Sequence, residues 1–249
     1  MNKKGELTTT QIIMIIVLIV SFIVILYFIL RLNLGSTSAS EVCHNSIVIS
    51  SKGSGIFGGI NCATGYVCIS SGGTCNLNPT TTISVNSNDK NAIMKAIADQ
   101  MVNCWWMMGE GQESFSSPGS NACAICSIIG FDSNLQKQYP NGISYKDLFD
   151  YLSTNNTDQD GINQTYLTYI YGISDLQSLL SGDSLTNSLY NSVTIPFSSQ
   201  YSVIVGQGRP LIRIFSNGNY LHPVFLPNNQ ISTYLDSQTF TCGKFITQS

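Results

Sequence analysis

All eight cysteines of this 249-residue chain follow a single long apolar run, and this arrangement limits the folds open to it more than any other feature. Residues 12–30 are apolar apart from Ser21. At about 1.5 Å per residue, a helix of that length rises roughly 28 Å, close to the bilayer's hydrocarbon core of about 30 Å. The run therefore predicts an N-terminal transmembrane helix, with the lipid bilayer as its partner.

The charged flanks and the cysteines together predict which side of the membrane the chain occupies. Lys3 and Lys4 precede the run and Arg31 follows it, and this basic bias favours an N-terminus inside the cell. Disulfides persist in oxidising compartments, which favours residues 32–249 outside. We therefore predict a single-pass cell-membrane protein, with residues 1–34 as cytoplasmic tip and anchor and residues 35–42 as a Gly/Ser/Thr-rich linker.

Two other interpretations of the N-terminus stay open. Small residues near Ala39 fit cleavage of a secretory signal. Lys3-Lys4-Gly5 before a polar stretch and an apolar run resembles the class III signal of type IV pilins. This resemblance implies cleavage after Gly5, a mature chain beginning at Glu6, and an apolar helix in a filament core.

The even number of cysteines predicts a disulfide framework. Up to four bridges can form, and 105 pairings are open to Cys43, Cys62, Cys68, Cys75, Cys104, Cys123, Cys126 and Cys242. Residues 43–78 combine four of these cysteines with many glycines, so they predict a small stapled module. Residues 79–87 then read as a second linker.

Residues 88–249 predict an α+β domain with a helical half followed by an antiparallel β-sheet. Apolar residues recur at steps of three and four over residues 89–108, and Gly109 is a natural helix stop. Ser144 and Asp147 form a capping-box pattern at the start of another helix. From residue 192 onward, β-branched and aromatic runs predict four strands, at residues 192–197, 201–205, 210–215 and 220–226. The turn signals Gly206-Gln-Gly208, Asn217-Gly218 and Pro227-Asn-Asn229 stand between or after them.

Composition predicts an uncharged, polar surface. Charged residues make up 10% of the chain, whereas Ser, Thr and Asn together make up roughly 30%. Residues 33–249 carry eight basic and thirteen acidic residues, a formal net charge of −5. No basic cluster occurs, which argues against nucleic acid as a partner. Asn155 and Asn163 begin sequons and are candidate glycosylation sites in an exported domain.

No motif predicts a catalytic residue, a metal site or a cofactor. Cys123-Ala-Ile-Cys126 has the spacing of a redox dithiol, but no strand precedes it as in thioredoxin-like enzymes, so we favour structural bridges. Glu110 and Glu113 lie in a Gly/Ser-rich loop and are expected to be solvated. Trp106 lies about 100° from the apolar stripe that Trp105 continues, which makes it a candidate contact for a protein partner as well as a packing residue.

Several of these strings together resemble a known group of proteins. They are Lys3-Lys4-Gly5-Glu6 before the apolar run, Cys104-Trp-Trp-Met-Met-Gly-Glu-Gly111, and Cys123-Ala-Ile-Cys126 with Phe131-Asp132. They resemble single-span, exported, cysteine-bearing proteins of small-genome archaea, best over the anchor and residues 95–132. That family has no known activity, so the resemblance implies topology and an archaeal source, with no functional residues.

The sequence thus predicts a non-enzymatic, membrane-anchored cell-surface protein with a structural or interaction role. It would be stabilised by disulfides and would contact a protein partner or further copies of itself. The alternatives are a pilin-like subunit processed after Gly5 and a membrane-tethered thiol oxidoreductase using Cys123 and Cys126.

Overall fold

A computed structural model describes residues 9–31, 38–52, 60–113, 115–116, 121–161, 163–208, 220–236 and 242–248. The chain forms two compact units, Met1–Ser38 and Ala39–Ser249. The predicted strand over residues 210–215, the Asn217-Gly218 turn and the Lys3-Lys4-Gly5 motif lie outside the described residues.

The first unit contains helix α1, Thr9–Arg31. The apolar side chains among its residues 12–24 are exposed on every side of the helix, from 45% at Ile12 to 65% at Met14. Within the part of the chain that the structure describes, no helix combines the length and the apolar character that crossing a membrane requires.

This finding corrects the prediction of a transmembrane anchor at residues 12–30. The predicted location, a single-pass membrane protein with its N-terminus inside and residues 32–249 outside, is wrong on the same ground.

The second unit is an α+β fold. Its helices are α2 Ala39–Lys52, α3 Lys90–Met107, α4 Ser133–Gln138, α5 Tyr145–Thr154, α6 Tyr166–Tyr171, α7 Leu176–Gly182, α8 Ser184–Ser192 and α9 Ile231–Asp236. Its strands are β1 Cys62–Ala63, β2 Gly65–Ser70, β3 Thr81–Ser84, β4 Asn121–Phe131, β5 Ile143–Ser144, β6 Asn156–Thr157, β7 Gln164–Thr165, β8 Thr194–Ile195, β9 Tyr201–Gly208, β10 Tyr220–Pro227, β11 Lys244–Phe245 and β12 Thr247–Gln248.

The main sheet is mixed, whereas we expected an antiparallel sheet built after the helices. Its strand order is β10-β9-β4-β2-β3, with β11 also paired to β4. The pairs β10–β9 and β9–β4 are antiparallel, and β4–β2, β2–β3 and β4–β11 are parallel. β4 is apolar along most of its length because strands flank it on both edges and most of its side chains are buried.

The first and last strands described in the second unit pair in a separate short ladder. β1 pairs in parallel with β12, with Cys62 opposite Thr247. The hydroxyl of Thr247 also accepts a hydrogen bond from the backbone N–H of Ile125 in β4 at 3.0 Å. The last residues of the chain are therefore built into the same structure as its first strand.

The predicted stop of α3 and the predicted start of α5 are confirmed. Gly109 follows α3 with a φ of 74°. The sequence predicts Asn88 as the N-cap of α3, but the N-cap is the next residue, Asp89, which accepts hydrogen bonds from two backbone N–H groups. Ser144 and Asp147 form the predicted capping box of α5. The buried face of α3 packs on β9 and β10 and forms the centre of the core.

The predicted Gly/Cys-rich module at residues 43–78 is not a unit of its own. Residues that we read as linker and module form helix α2, which contacts α3 and β1. Strand β2 lies inside the main sheet, between β4 and β3. Side chains of α2 such as Cys43 and Ile47 are fully buried, so this segment contributes to the common core.

Candidate functional site

Four disulfides use all eight cysteines. The pairs are Cys43–Cys62, Cys68–Cys75, Cys104–Cys126 and Cys123–Cys242. They join α2 to β1, β2 to the loop after it, α3 to β4, and β4 to the C-terminal segment. The predicted disulfide framework is confirmed, and the pairing that the sequence left open is now assigned.

Cys123 and Cys126 do not form a dithiol pair. Both lie in the extended strand β4, where three residues span about 10 Å, and a disulfide requires Cα atoms within about 7 Å. Each cysteine is instead bonded to a distant partner, and both are buried. The redox motif requires a helix N-terminus, which this segment does not have.

The two tryptophans occupy different environments. Trp105 is 7% exposed and packs against the ring of His222 at 5.0 Å and the edge of Tyr220 at 6.5 Å. Trp106 is half-buried and stacks on His44 of α2, with ring centroids 4.3 Å apart. A ring nitrogen of His44 also hydrogen-bonds the backbone carbonyl of Trp106 at 2.7 Å. Much of the Trp106 face that we proposed for a protein partner is thus covered by α2.

The pKa of His222 is lower than that of an ordinary histidine. Burial lowers its pKa, and this effect outweighs the opposing effect of a 2.8 Å hydrogen bond to the carbonyl of Ile170. His222 lies in β10, an edge strand of the main sheet, as Pro223 beside it predicts. The pairing of β10 with β9 is irregular between Leu221 and Val224.

Glu110 and Glu113 are not simply solvated, in contrast to our expectation. The carboxylate of Glu110 accepts a hydrogen bond from the hydroxyl of Tyr169. The carboxylate of Glu113 accepts one from Ser51 and lies 3.5 Å from the ammonium group of Lys52. The loop after α3 is therefore fixed to α2 and α6 through its acidic residues.

One buried glutamine holds the same loop from the other side. Gln207 in β9 is 2% exposed, and its side-chain oxygen accepts hydrogen bonds from the backbone N–H groups of Phe115 and Ser116 at 2.7 and 3.1 Å. Its amide nitrogen donates to the carbonyl of Glu113 and the hydroxyl of Tyr220. We read Gly206-Gln-Gly208 as a turn, and for that reason the sequence reasoning missed this residue.

Asp132 is a second polar anchor that sequence reasoning missed. Its carboxylate is fully buried and accepts hydrogen bonds from the backbone N–H groups of Ser71, Gly73 and Leu135 and from the hydroxyl of Ser70. Burial raises the pKa of this carboxyl, but the combined hydrogen bonds outweigh burial and lower the pKa overall. An aspartate just before a short helix is an N-cap signal that could have identified it.

The two candidate glycosylation sites differ in their surroundings. The amide nitrogen of Asn155 donates to the carbonyl of Tyr151 at 3.0 Å and to the hydroxyl of Thr154 at 3.1 Å, at the end of α5. Asn163 is exposed, and its side-chain oxygen accepts a hydrogen bond from Asn156. Of the two, Asn163 therefore presents its side chain more openly.

One end of the main sheet carries a groove lined by uncharged polar side chains. We call it the amide groove, and its lining residues are Asn76, Ser198, Ser199, Gln200, Asn228 and Asn229. Asn76 follows β2, the residues 198–200 precede β9, and Asn228 and Asn229 follow β10. The directions of these strands bring all three segments to the same end of the sheet. The groove encloses about 680 Å³ including its open mouth.

A small cavity adjoins the amide groove and shares Asn76, Ser198, Ser199 and Gln200 with it. Leu77, Phe131, Gln136 and Phe197 also line this cavity, whose volume of about 10 Å³ is close to that of one water molecule. The rings of Phe131 and Phe197 are stacked with centroids 4.2 Å apart, and both are buried. These two rings therefore belong to the core and are not open to a ligand.

The residues described contain no group of three or more His, Cys, Asp and Glu side chains placed to hold a metal ion. Comparison with known proteins adds no relative: no family model, curated protein or solved structure matches the chain. The resemblance to exported proteins of small-genome archaea stays a prediction.

Proposed function

We propose that the chain is a non-enzymatic protein of an oxidising compartment, with a structural or binding role carried by Ala39–Ser249. The observation that carries this proposal is the use of all eight cysteines in four disulfides, with none free. A protein kept among reducing thiols would lose these cross-links, whereas an exported one keeps them.

The positions of the bridges support a structural role for the cysteines. Each bridge joins different elements of the fold, and at least one sulfur of each pair is buried. A catalytic disulfide needs an accessible sulfur with a lowered pKa and a resolving thiol close by. Cys104, Cys123 and Cys126 are buried, and Cys123 and Cys126 are bonded to distant partners instead of to each other, which supports the structural role over the oxidoreductase alternative.

The test is disulfide mapping of the protein from its native cells, with thiols blocked before lysis. We expect the four pairs described above and no blocked cysteine. Reduction of a disulfide substrate such as insulin is the second measurement, with Cys126→Ser compared with Cys68→Ser as the control. Turnover that disappears only in Cys126→Ser, or a native protein with thiols blocked at Cys123 and Cys126, would contradict the proposal.

A pilin-like subunit is the second candidate, because α1 is apolar on all sides and exposed. Side chains from Ile12 to Val24 are between 45% and 65% exposed, including neighbours on opposite faces of the helix such as Val17 and Ile19. Burying one such side chain contributes about 1.5–3 kcal/mol. We propose the α1 helices of further copies as the occupants of this surface, which fits the pilin-like Lys3-Lys4-Gly5 signal.

N-terminal sequencing of native protein tests this candidate, with a start at Glu6 expected. The assembled state would be measured by sedimentation of the full chain, and Leu18→Asp in α1 should reduce assembly. Asn61→Asp, which places the same charge at an exposed position of the second unit, is the matched control. A native start at Met1 would refute the candidate, as would monomeric partition of α1 into phosphatidylcholine vesicles.

A further inference from the structure

We propose that the amide groove binds a neutral carbohydrate. This inference deepens the binding role proposed above and rests on that role. Its basis is a lining made of amide and hydroxyl side chains only, with no charged residue among the six. Sugar hydroxyls both donate and accept hydrogen bonds, and amide and hydroxyl side chains do the same.

In Gln200 and in Asn228, one polar group of the side-chain amide is hydrogen-bonded within the protein, and the other polar group can bind a ligand. The side-chain nitrogen of Gln200 donates to the carbonyl of Asn76 at 3.3 Å, so its oxygen faces away from that bond. The side-chain oxygen of Asn228 accepts from the hydroxyl of Ser202 at 2.7 Å, and its backbone N–H donates to the carbonyl of Gln200 at 2.9 Å. The groove therefore presents fixed polar groups, which reduces the entropy lost when a ligand binds.

Further polar groups of the groove have no hydrogen-bond partner among the described residues. They are the hydroxyls of Ser198 and Ser199 and the side-chain amides of Asn76 and Asn229. Together with Gln200 and Asn228, they line a single depression rather than a scattered surface. A ligand with several hydroxyls on a short ring system can bridge several of them at once.

The absence of charge in the lining decides the class of ligand. Phosphate and carboxylate ligands are recognised through Arg or Lys, and a cationic ligand through Asp or Glu, none of which lines this groove. The space open to water in the groove, about 370 Å³, falls in the range of about 300–1,000 Å³ usual for small-molecule sites.

Titration of the full chain with neutral oligosaccharides tests the proposal. The probes are maltohexaose, chitohexaose and a linear mannohexaose, followed by amide chemical shifts and calorimetry. We expect at least one probe to bind with Kd at or below about 1 mM and to shift the amide signals of Gln200, Asn228 and Asn229. Glucose 6-phosphate and hexaglutamate, which carry charge, should bind at least about tenfold more weakly.

Asn229→Ala is the decisive variant, because its side chain is exposed and unbonded among the described residues, so the fold should tolerate the change. We expect at least about tenfold weaker oligosaccharide binding in Asn229→Ala and none of this loss in Asn61→Ala, an exposed asparagine outside the groove. Failure of every neutral probe to bind up to about 10 mM would overturn the proposal. Binding unaffected by Asn229→Ala, or stronger binding of the phosphate probe, would also overturn it.

The oligosaccharide-binding experiment and the test of the proposed function can fail independently of each other. Disulfide mapping and insulin reduction report on the cysteines and do not depend on the groove. A native protein with four intact bridges that binds none of the oligosaccharides would leave the structural role standing and remove the carbohydrate site.

Discussion

The Cys123–Cys242 bridge should contribute far more to stability than the Cys68–Cys75 bridge, and the difference can be calculated from the chain. The two cysteines of the first pair are 119 residues apart, and those of the second pair are 7 apart. In the chain-entropy treatment, closing these loops in the unfolded state contributes about 4.9 and 2.4 kcal/mol respectively at 25 °C. The difference of about 2.5 kcal/mol is a factor of roughly 70 in the folding equilibrium.

The two bridges are matched in their native environment, which makes the comparison clean. In the long-loop bridge Cys123 is buried and Cys242 is half-buried, and in the short-loop bridge Cys68 is buried and Cys75 is half-buried. Replacing both members of a pair by alanine therefore removes a similar amount of packing in the two variants. The remaining difference comes from the length of the loop that each bridge closes.

The assay is urea unfolding of Cys123→Ala/Cys242→Ala and Cys68→Ala/Cys75→Ala, each with the other three bridges intact. Loss of the long-loop bridge should also raise the m-value more, because its unfolded chain expands further. A domain of this size has about 5–15 kcal/mol of stability in total, so the first variant should be close to unfolding. Equal losses in the two variants, or a larger loss for Cys68–Cys75, would refute the reasoning.

Three further predictions concern single polar residues. Gln207→Leu removes the acceptor of two backbone N–H groups, so it should lower the free energy of unfolding in urea by about 2–4 kcal/mol. Hydrogen exchange at the amides of Phe115 and Ser116 should become faster, and unchanged exchange there would contradict the prediction. The pKa of Asp132 is lowered by folding, so its stabilisation is complete above about pH 4 and is lost as pH falls through its folded-state pKa. The stability difference between wild type and Asp132→Asn should therefore shrink on acidification, and a constant difference down to about pH 2 would count against it. The pKa of His222 is also lowered by folding, so the stability of the wild type should fall as pH drops below about 6.5. The stability of His222→Gln should depend less on pH in this range, and parallel profiles for the two proteins would show that His222 does not contribute to the pH dependence.

Local sequence signals predicted local structure well. Ser144 with Asp147 and Gly109 mark helix ends through local conformation and hydrogen bonds, and each acts in the structure as its position predicts, whereas the N-cap of α3 lies one residue after the predicted Asn88. The β-branched and aromatic runs also placed β9 and β10 close to their observed bounds. These features depend on neighbours along the chain, so one sequence is enough to find them.

The errors concern contacts between distant residues. β2 and β4 pair in parallel although about 60 residues separate them, and no turn signal marks such a pair. Helix α2 was missed because its Ser, Asn and Cys residues have weak helix propensity, and burial of Cys43 and Ile47 against the core stabilises it instead. The amide groove likewise gathers three segments at one sheet end, so no motif could have revealed it.

The pairing of β1 with β12 has a consequence for how the protein is made. Strand β12 and Cys242 lie far along the chain from their partners β1 and Cys123, and 119 residues separate the two cysteines. Ribosomal synthesis delivers β12 and Cys242 long after β1 and Cys123, so the strand pair and the disulfide form late. During that interval the thiol of Cys123 must stay unpaired or in a temporary bridge. Production of this protein in a foreign host should therefore depend on a disulfide isomerase more strongly than the number of its bridges suggests.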